Sequence, residues 1–360
     1  MAKSAVDVIG VALEHTKQQL LKPFQFAQWA RLAVLAMATG EMSTGGGCNS
    51  IAKLPSAIPV PSHDHQNFLA GPTSPADIFR GLDPALIGTL LMVAIIGAVV
   101  LMLVWIYVAS VSRFVLFESV LRKRCELTES WDRWQRQGLR LFGFQLLFTL
   151  FAWIAAGLML LPVLIPLIKA VKSHQQVGPG FILAFLPLLL IVGAFALVLA
   201  LVGVITKDFV VPVMAVEGVG VIEGWRRVLA MMKAEKGGYA GYVGMKIVLA
   251  IGAGVVFGIL VGIVVAIFLI PGAVIAVAAV LMGKSAGLQL NAVTITLAIV
   301  VGAILFAILL YVVAFVCVPI AVFFPAYAMY FLAERYPQLA ARLYPTAGPG
   351  SPPLVGAPIG

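Results

Sequence analysis

Apolar residues gather into five long runs along this chain, at 85–112, 142–168, 181–206, 247–282 and 291–333. Each exceeds the ~20 residues that a helix needs to cross the hydrocarbon of a bilayer. None alternates with period two, so the runs predict membrane-spanning helices and an all-α fold. Pro271-Gly272 predicts a kink or an end within the fourth run. Residues 4–22 are patterned differently. Val6, Ile9, Leu13 and Leu20 fall on one helical face, while Asp7, Glu14, Gln18 and Lys22 fall on the others. This arrangement predicts an amphipathic helix lying on the membrane surface, ended by Pro23. Residues 24–40 make a shorter apolar segment interrupted by Arg31. Two readings fit it: a sixth span with Arg31 snorkelling to one face, or a re-entrant helix.

Two stretches break the pattern. Residues 41–84 carry three consecutive glycines at 45–47 and several prolines, as expected of an irregular aqueous loop. Residues 334–360 are rich in Pro and Gly and predict a disordered tail. Everything from 1 to 333 then reads as one helical membrane domain of about six spans.

Composition and charge sharpen the picture. Of 360 residues, 62% are hydrophobic and 11% are charged. A soluble domain would be roughly half apolar and a quarter charged, so soluble globular, disordered and nucleic-acid-binding classes are excluded. The net charge of +9 matters through its distribution. Segment 113–140 holds seven Lys and Arg and segment 207–246 holds six, against two, two and one in 41–84, 169–180 and 283–290. By the positive-inside rule the basic segments face the cytoplasm, with both termini there, in the cell membrane.

The two basic segments resemble each other. Arg113-Phe114 opens one, which reaches Glu129-Ser-Trp131-Asp-Arg133; Asp208-Phe209 opens the other, which reaches Glu223-Gly-Trp225-Arg-Arg227. Val318-Pro-Ile-Ala-Val322 echoes Val211-Pro-Val-Met-Ala-Val216. The chain thus parses into three units, roughly 1–113, 114–208 and 209–333, each a surface helix with an outgoing and a returning span. Within the motif, Glu and Arg at i and i+4 share a helical face, and the Trp between them points ~200° away. This predicts local ion pairs Glu129–Arg133 and Glu223–Arg227 facing water, with Trp131 and Trp225 in the headgroup layer.

Glu14-His-Thr-Lys-Gln-Gln-Leu-Leu-Lys-Pro-Phe24, Trp29, Asp208-Phe-Val-Val-Pro-Val-Met-Ala-Val-Glu217 and Glu223-Gly-Trp-Arg-Arg227 together resemble uncharacterised bacterial multi-pass membrane proteins. Those are related to the membrane domain fused to some glycerophosphoryl diester phosphodiesterases. The resemblance implies a multi-pass helical fold in the cell membrane. It does not imply phosphodiesterase activity, whose catalytic barrel needs ~250 residues beyond the apolar segments.

Candidate chemistry is sparse. His63-Asp64-His65 is the one histidine cluster, and two imidazoles fall short of a zinc ligand set, so a solvated polar loop is expected there. The three cysteines are widely separated and none has the CxxC spacing of a metal site. No Gly-x-Ser-x-Gly elbow or phosphate-binding loop is present. The runs at 85–112, 181–206, 247–282 and 291–331 contain no Asp, Glu, Lys, Arg or His, which predicts spans without buried ionic groups. Gly254, Gly258 and Gly262, with Ala250 and Ala266, recur every four residues and predict a helix-packing seam. These features point to a non-enzymatic protein without a cofactor, whose partners are membrane lipids, a second copy or another membrane protein. A permease or lipid-translocating protein is the alternative that the prolines and threefold pattern suggest.

Overall fold

A computed structural model describes residues 4–40, 84–172, 179–285 and 292–344. Helices α1 (Asp7–Leu21) and α2 (Phe26–Thr39) are short. They are followed by α3 (Pro84–Leu121), α4 (Leu127–Lys172) and α5 (Pro179–Ile205). A π-helical turn, Thr206–Val210, leads into α6 (Val211–Glu217). Then come α7 (Val221–Ala234), α8 (Lys236–Ser285), α9 (Ala292–Ala333) and α10 (Pro337–Leu343). The all-α architecture expected from the apolar runs is observed. Five described helices are long and apolar enough to cross a membrane, within Leu91–Leu121, Leu127–Pro162, Leu186–Glu217, Lys236–Gly272 and Ile299–Ala333. The sixth predicted segment gives only α2. Its 14 residues reach about 21 Å, less than the ~30 Å of hydrocarbon, and the helix stops at Gly40 in the left-handed region. How the chain continues falls on 41–83, outside the described residues, as do the His63–His65 cluster and the end of the tail.

The core lies at one end of the molecule. It joins Phe114 to Val120 of α3, Phe209 to Val216, and Val318 to Leu332 of α9, with Tyr239 and Tyr242 of α8. Tyr242 stacks on Tyr327 at 5.1 Å and meets Phe331 at 4.6 Å and Phe209 at 4.9 Å. α1 lies against the end of α9 and α2 between α3 and α9. The outer halves of the spans differ in kind, with Leu101, Leu147, Trp153, Leu189 and Leu197 all exposed. Apolar side chains facing outward over whole helices are what lipid requires, since lipid tails are as apolar as leucine.

Local chemistry explains the close approaches at the core end. Ser110 and Ser119 return their hydroxyls to the carbonyls of Ile106 and Val115, each at 2.7 Å, so these polar side chains are buried without an orphaned donor. Gly138 of α4 sits so close to α3 that an added Cβ would lie 2.9 Å from Cα of Val111. The glycine face of α8 behaves otherwise. Gly254 and Gly258 are half-buried, but Gly262 is exposed and a Cβ there would meet nothing within 4 Å. At that level α8 meets α9 through Val261, against Leu309, Val313 and Cys317. Among the described residues Gly262 thus stands outside the α8–α9 contact, which uses the branched residue one position earlier.

Candidate functional site

The polar chemistry of the described residues concentrates where spans end in the core. Glu118, in the last turn of α3, is almost wholly buried. It pairs with Arg122 at 3.0 Å and with Arg133 of α4, and it accepts a 2.6 Å hydrogen bond from Nε1 of Trp134. Phe114 stacks on the same Trp134 at 5.6 Å. Arg133 thus reaches back to the preceding span. The expected local pair with Glu129 does not form, and Glu129 stands exposed in the first turn of α4. The reason is desolvation: the buried carboxylate loses water and needs a cation, whereas exposed Glu129 keeps its hydration.

The next junction uses related chemistry. Glu217, at the end of α6, pairs with Arg227 of α7 and accepts from the hydroxyl of Tyr336. Here the predicted local pair does form, with Glu223 at 3.1 Å from Arg227. Trp131 packs edge-on against Tyr107 at 6.3 Å, and Trp225 is half-buried against the core. α7 turns Val221, Gly224 and Val228 inward and leaves Ile222 84% exposed. Glu235 and Arg335 add a two-bond pair at 2.8 Å between the α7–α8 link and the α9–α10 link.

Deeper still, Asp208 in the π-helical turn pairs with Lys246 of α8 and accepts from the hydroxyl of Tyr242 at 2.9 Å. Both charged side chains are buried and lie within helices able to span. The expectation of spans free of buried ions is corrected here. Asp208 and Lys246 flank the ends of the apolar runs, and the fold carries both inward. A cavity of about 30 Å³ adjoins Asp208 and Pro212, room for one water molecule.

Side chains also close the exposed helix ends. The last carbonyls of a helix have no partner within it. Gln19 donates to Ser119 at 3.0 Å, and the ring of His15 lies 3.0 Å from both the Val120 carbonyl and the Tyr330 hydroxyl. Trp29 caps Leu20 at 2.9 Å, and Arg342 caps Val216 at 2.7 Å. Burial, with nearby Lys123, pushes the His15 imidazole down to about 4, so it is neutral at pH 7. α1 therefore docks on the protein through Val8, Ala12, His15 and Gln19, and it leaves Val6 and Leu13 exposed.

Beside this collar lies a cavity of about 810 Å³, between the α1–α2 link and the α3–α4 link. Its wall carries Lys22, Arg31, Arg122, Lys123 and Arg124, with Glu126 as the acidic member. The links are tied by Lys123 to Gln18 at 2.8 Å, Gln28 to the Lys123 carbonyl at 3.0 Å and Arg31 to the Cys125 carbonyl at 3.1 Å. Arg31, whose place within an apolar segment was ambiguous in sequence, thus belongs to a basic pocket. Sequence reasoning missed Glu118, Glu217, Asp208 and this pocket. The available signals were carboxylates at the ends of apolar runs and the Arg122-Lys-Arg124 triplet.

No group of three or more potential metal ligands occurs among the described residues. No curated protein and no solved structure matches the chain. A family-model match fits the uncharacterised family expected from the sequence, with nothing linking it to the phosphodiesterase-associated domain. That match runs over residues 3–342, and the chain belongs to this family of unknown function, DUF7544.

Proposed function

We propose that this protein is a non-enzymatic, lipid-interacting component of the cell membrane, with its basic end, where α1 packs on α9, at the cytoplasmic headgroup layer. One observation carries the reading: ion pairs, caps and the basic pocket gather at one end, while the spans present apolar side chains outward. Exposed Val6 and Leu13 on α1 and Ile222 on α7 suit helices lying in the interface with apolar residues in the acyl boundary. Arg133 and Arg227, each answering a carboxylate at the end of the preceding span, support the three-unit repeat as a shared design. In this role the protein organises lipid or supports a membrane partner, a second copy included.

One observation favours a second reading. The buried Asp208–Lys246 pair beside a π-helical turn is the kind of intramembrane group that marks transport pathways. Reconstitution into liposomes separates the two. The lipid-organising role predicts no substrate-selective flux of solute or lipid, together with anionic lipid retained through purification. Robust selective flux that is lost in Lys246→Met would overturn it in favour of a permease.

A further inference from the structure

We infer that the pocket between the α1–α2 and α3–α4 links binds the phosphate of an anionic membrane lipid from the leaflet at the basic end. The inference rests on the lipid-interacting reading and assigns it a place.

The charge arithmetic comes first. Arg122 is engaged by Glu118. Among the described residues, Lys22, Arg31, Lys123 and Arg124 pair with no carboxylate within salt-bridge distance. Lys123 is instead held by the neutral amide of Gln18. The wall therefore carries an excess of positive charge that a phosphate would neutralise. Arg31 spends one guanidinium nitrogen on the Cys125 carbonyl, which fixes the fork while other donors remain for phosphate oxygens.

The apolar rim identifies the source of that phosphate. Leu21, Phe24 and Phe26 stand exposed at the same link, at 55%, 57% and 64%. Phe24 leans on Trp29 at 5.6 Å and Phe26 on Phe315 at 5.3 Å. A soluble phosphate gains nothing from such an edge, whereas a lipid lays its acyl chains along it while its headgroup enters the basic pocket. The cavity volume lies within the range of small-molecule sites.

The test uses the full chain in an uncharged detergent, with bound lipid counted by native mass spectrometry. The probes are phosphatidylglycerol, phosphatidylcholine and inorganic phosphate. Phosphatidylglycerol is expected to bind more tightly than phosphatidylcholine, and millimolar phosphate is not expected to displace it. Arg124→Glu, at an exposed side chain that bridges nothing in the described structure, should weaken phosphatidylglycerol binding by about tenfold or more. Arg31→Lys, which keeps the charge and loses the fork, should weaken it less. Arg136→Gln, an exposed cation outside the pocket, should leave it unchanged. Equal binding of the two lipids, displacement by free phosphate, or wild-type affinity in Arg124→Glu would each overturn the assignment. Anionic lipid retained equally by wild type and Arg124→Glu would refute this pocket and leave the broader reading standing. Selective flux with intact pocket binding would do the reverse.

Discussion

The junction from α3 to α4 and the junction from α6 to α7 solve one problem in two ways. Each has a carboxylate at the end of a span, the buried Glu118 or the partly buried Glu217, answered by an arginine on the next helix, Arg133 or Arg227. At the second junction Arg227 also holds its local Glu223, while at the first Arg133 bypasses exposed Glu129. The interhelical pair is what the two share, and the local i,i+4 pair is optional. Eight residues before the end of α3, Arg113 meets the neutral Gln145 at 3.1 Å. Nine before the end of α6, Asp208 meets the charged Lys246. The two polar contacts thus carry opposite charges on the incoming helix, and each is matched from the helix that follows.

Four sets of variants break or sharpen this comparison. The largest effect is expected where both charges are buried. Lys246→Met should cost about 3–5 kcal/mol of stability in bicelles, because it strands Asp208, and adding Asp208→Asn should recover much of the loss. Gln145→Leu should cost less, about 2 kcal/mol, since it removes the acceptor for Arg113 and Ser110 and strands no buried opposite charge. A double variant no better than Lys246→Met alone would remove the ion pair from the explanation.

Next comes pH. His15 closes the end of α3, and its imidazole titrates near 4 when folded against 6.5 when unfolded. The unfolded chain then binds the proton first, so this contribution is complete above about pH 6.5 and is lost as pH falls towards 4. The loss amounts to roughly 3 kcal/mol. Thermal unfolding should show the decline in wild type and a flatter profile in His15→Asn; parallel profiles would refute it.

Helix packing gives the third contrast. Gly138→Leu forces α4 away from Val111 and should cost about 2 kcal/mol or more, whereas Gly262→Leu faces open space and should leave the melting temperature of the monomer unchanged. The reverse order would restore the glycine face of α8 as the chain's packing seam. The smallest effects concern the local carboxylates. Glu223→Gln should cost a few tenths of a kcal/mol and Glu129→Gln nothing measurable. A larger loss from Glu129→Gln would mean that Arg133 serves its own helix after all.

Much of the fold was legible because a membrane imposes long, unmixed apolar runs. The five spans, α1 and the end of α2 at Gly40 follow from run length, Pro23 and a left-handed glycine. The site was legible only in part. The motif residues Glu223 and Arg227 meet as the helical repeat requires, because both lie on one short helix. Arg133 does not, because its partner Glu118 lies on another helix and no local periodicity encodes a contact between helices. Asp208 and Lys246 stood at the edges of apolar runs, where run boundaries alone do not separate a buried side chain from a solvated one. The pocket escaped for a related reason, since its cations come from two links about a hundred residues apart, at Lys22 and Arg122.

A double-mutant cycle on Arg133 tests the central claim most directly, with unfolding of Glu118→Gln, Glu129→Gln, Arg133→Gln and the two pairwise combinations measured in bicelles. Coupling of about 1 kcal/mol or more between Glu118 and Arg133, with none between Glu129 and Arg133, is the expected result. Coupling to Glu129 with none to Glu118 would contradict it.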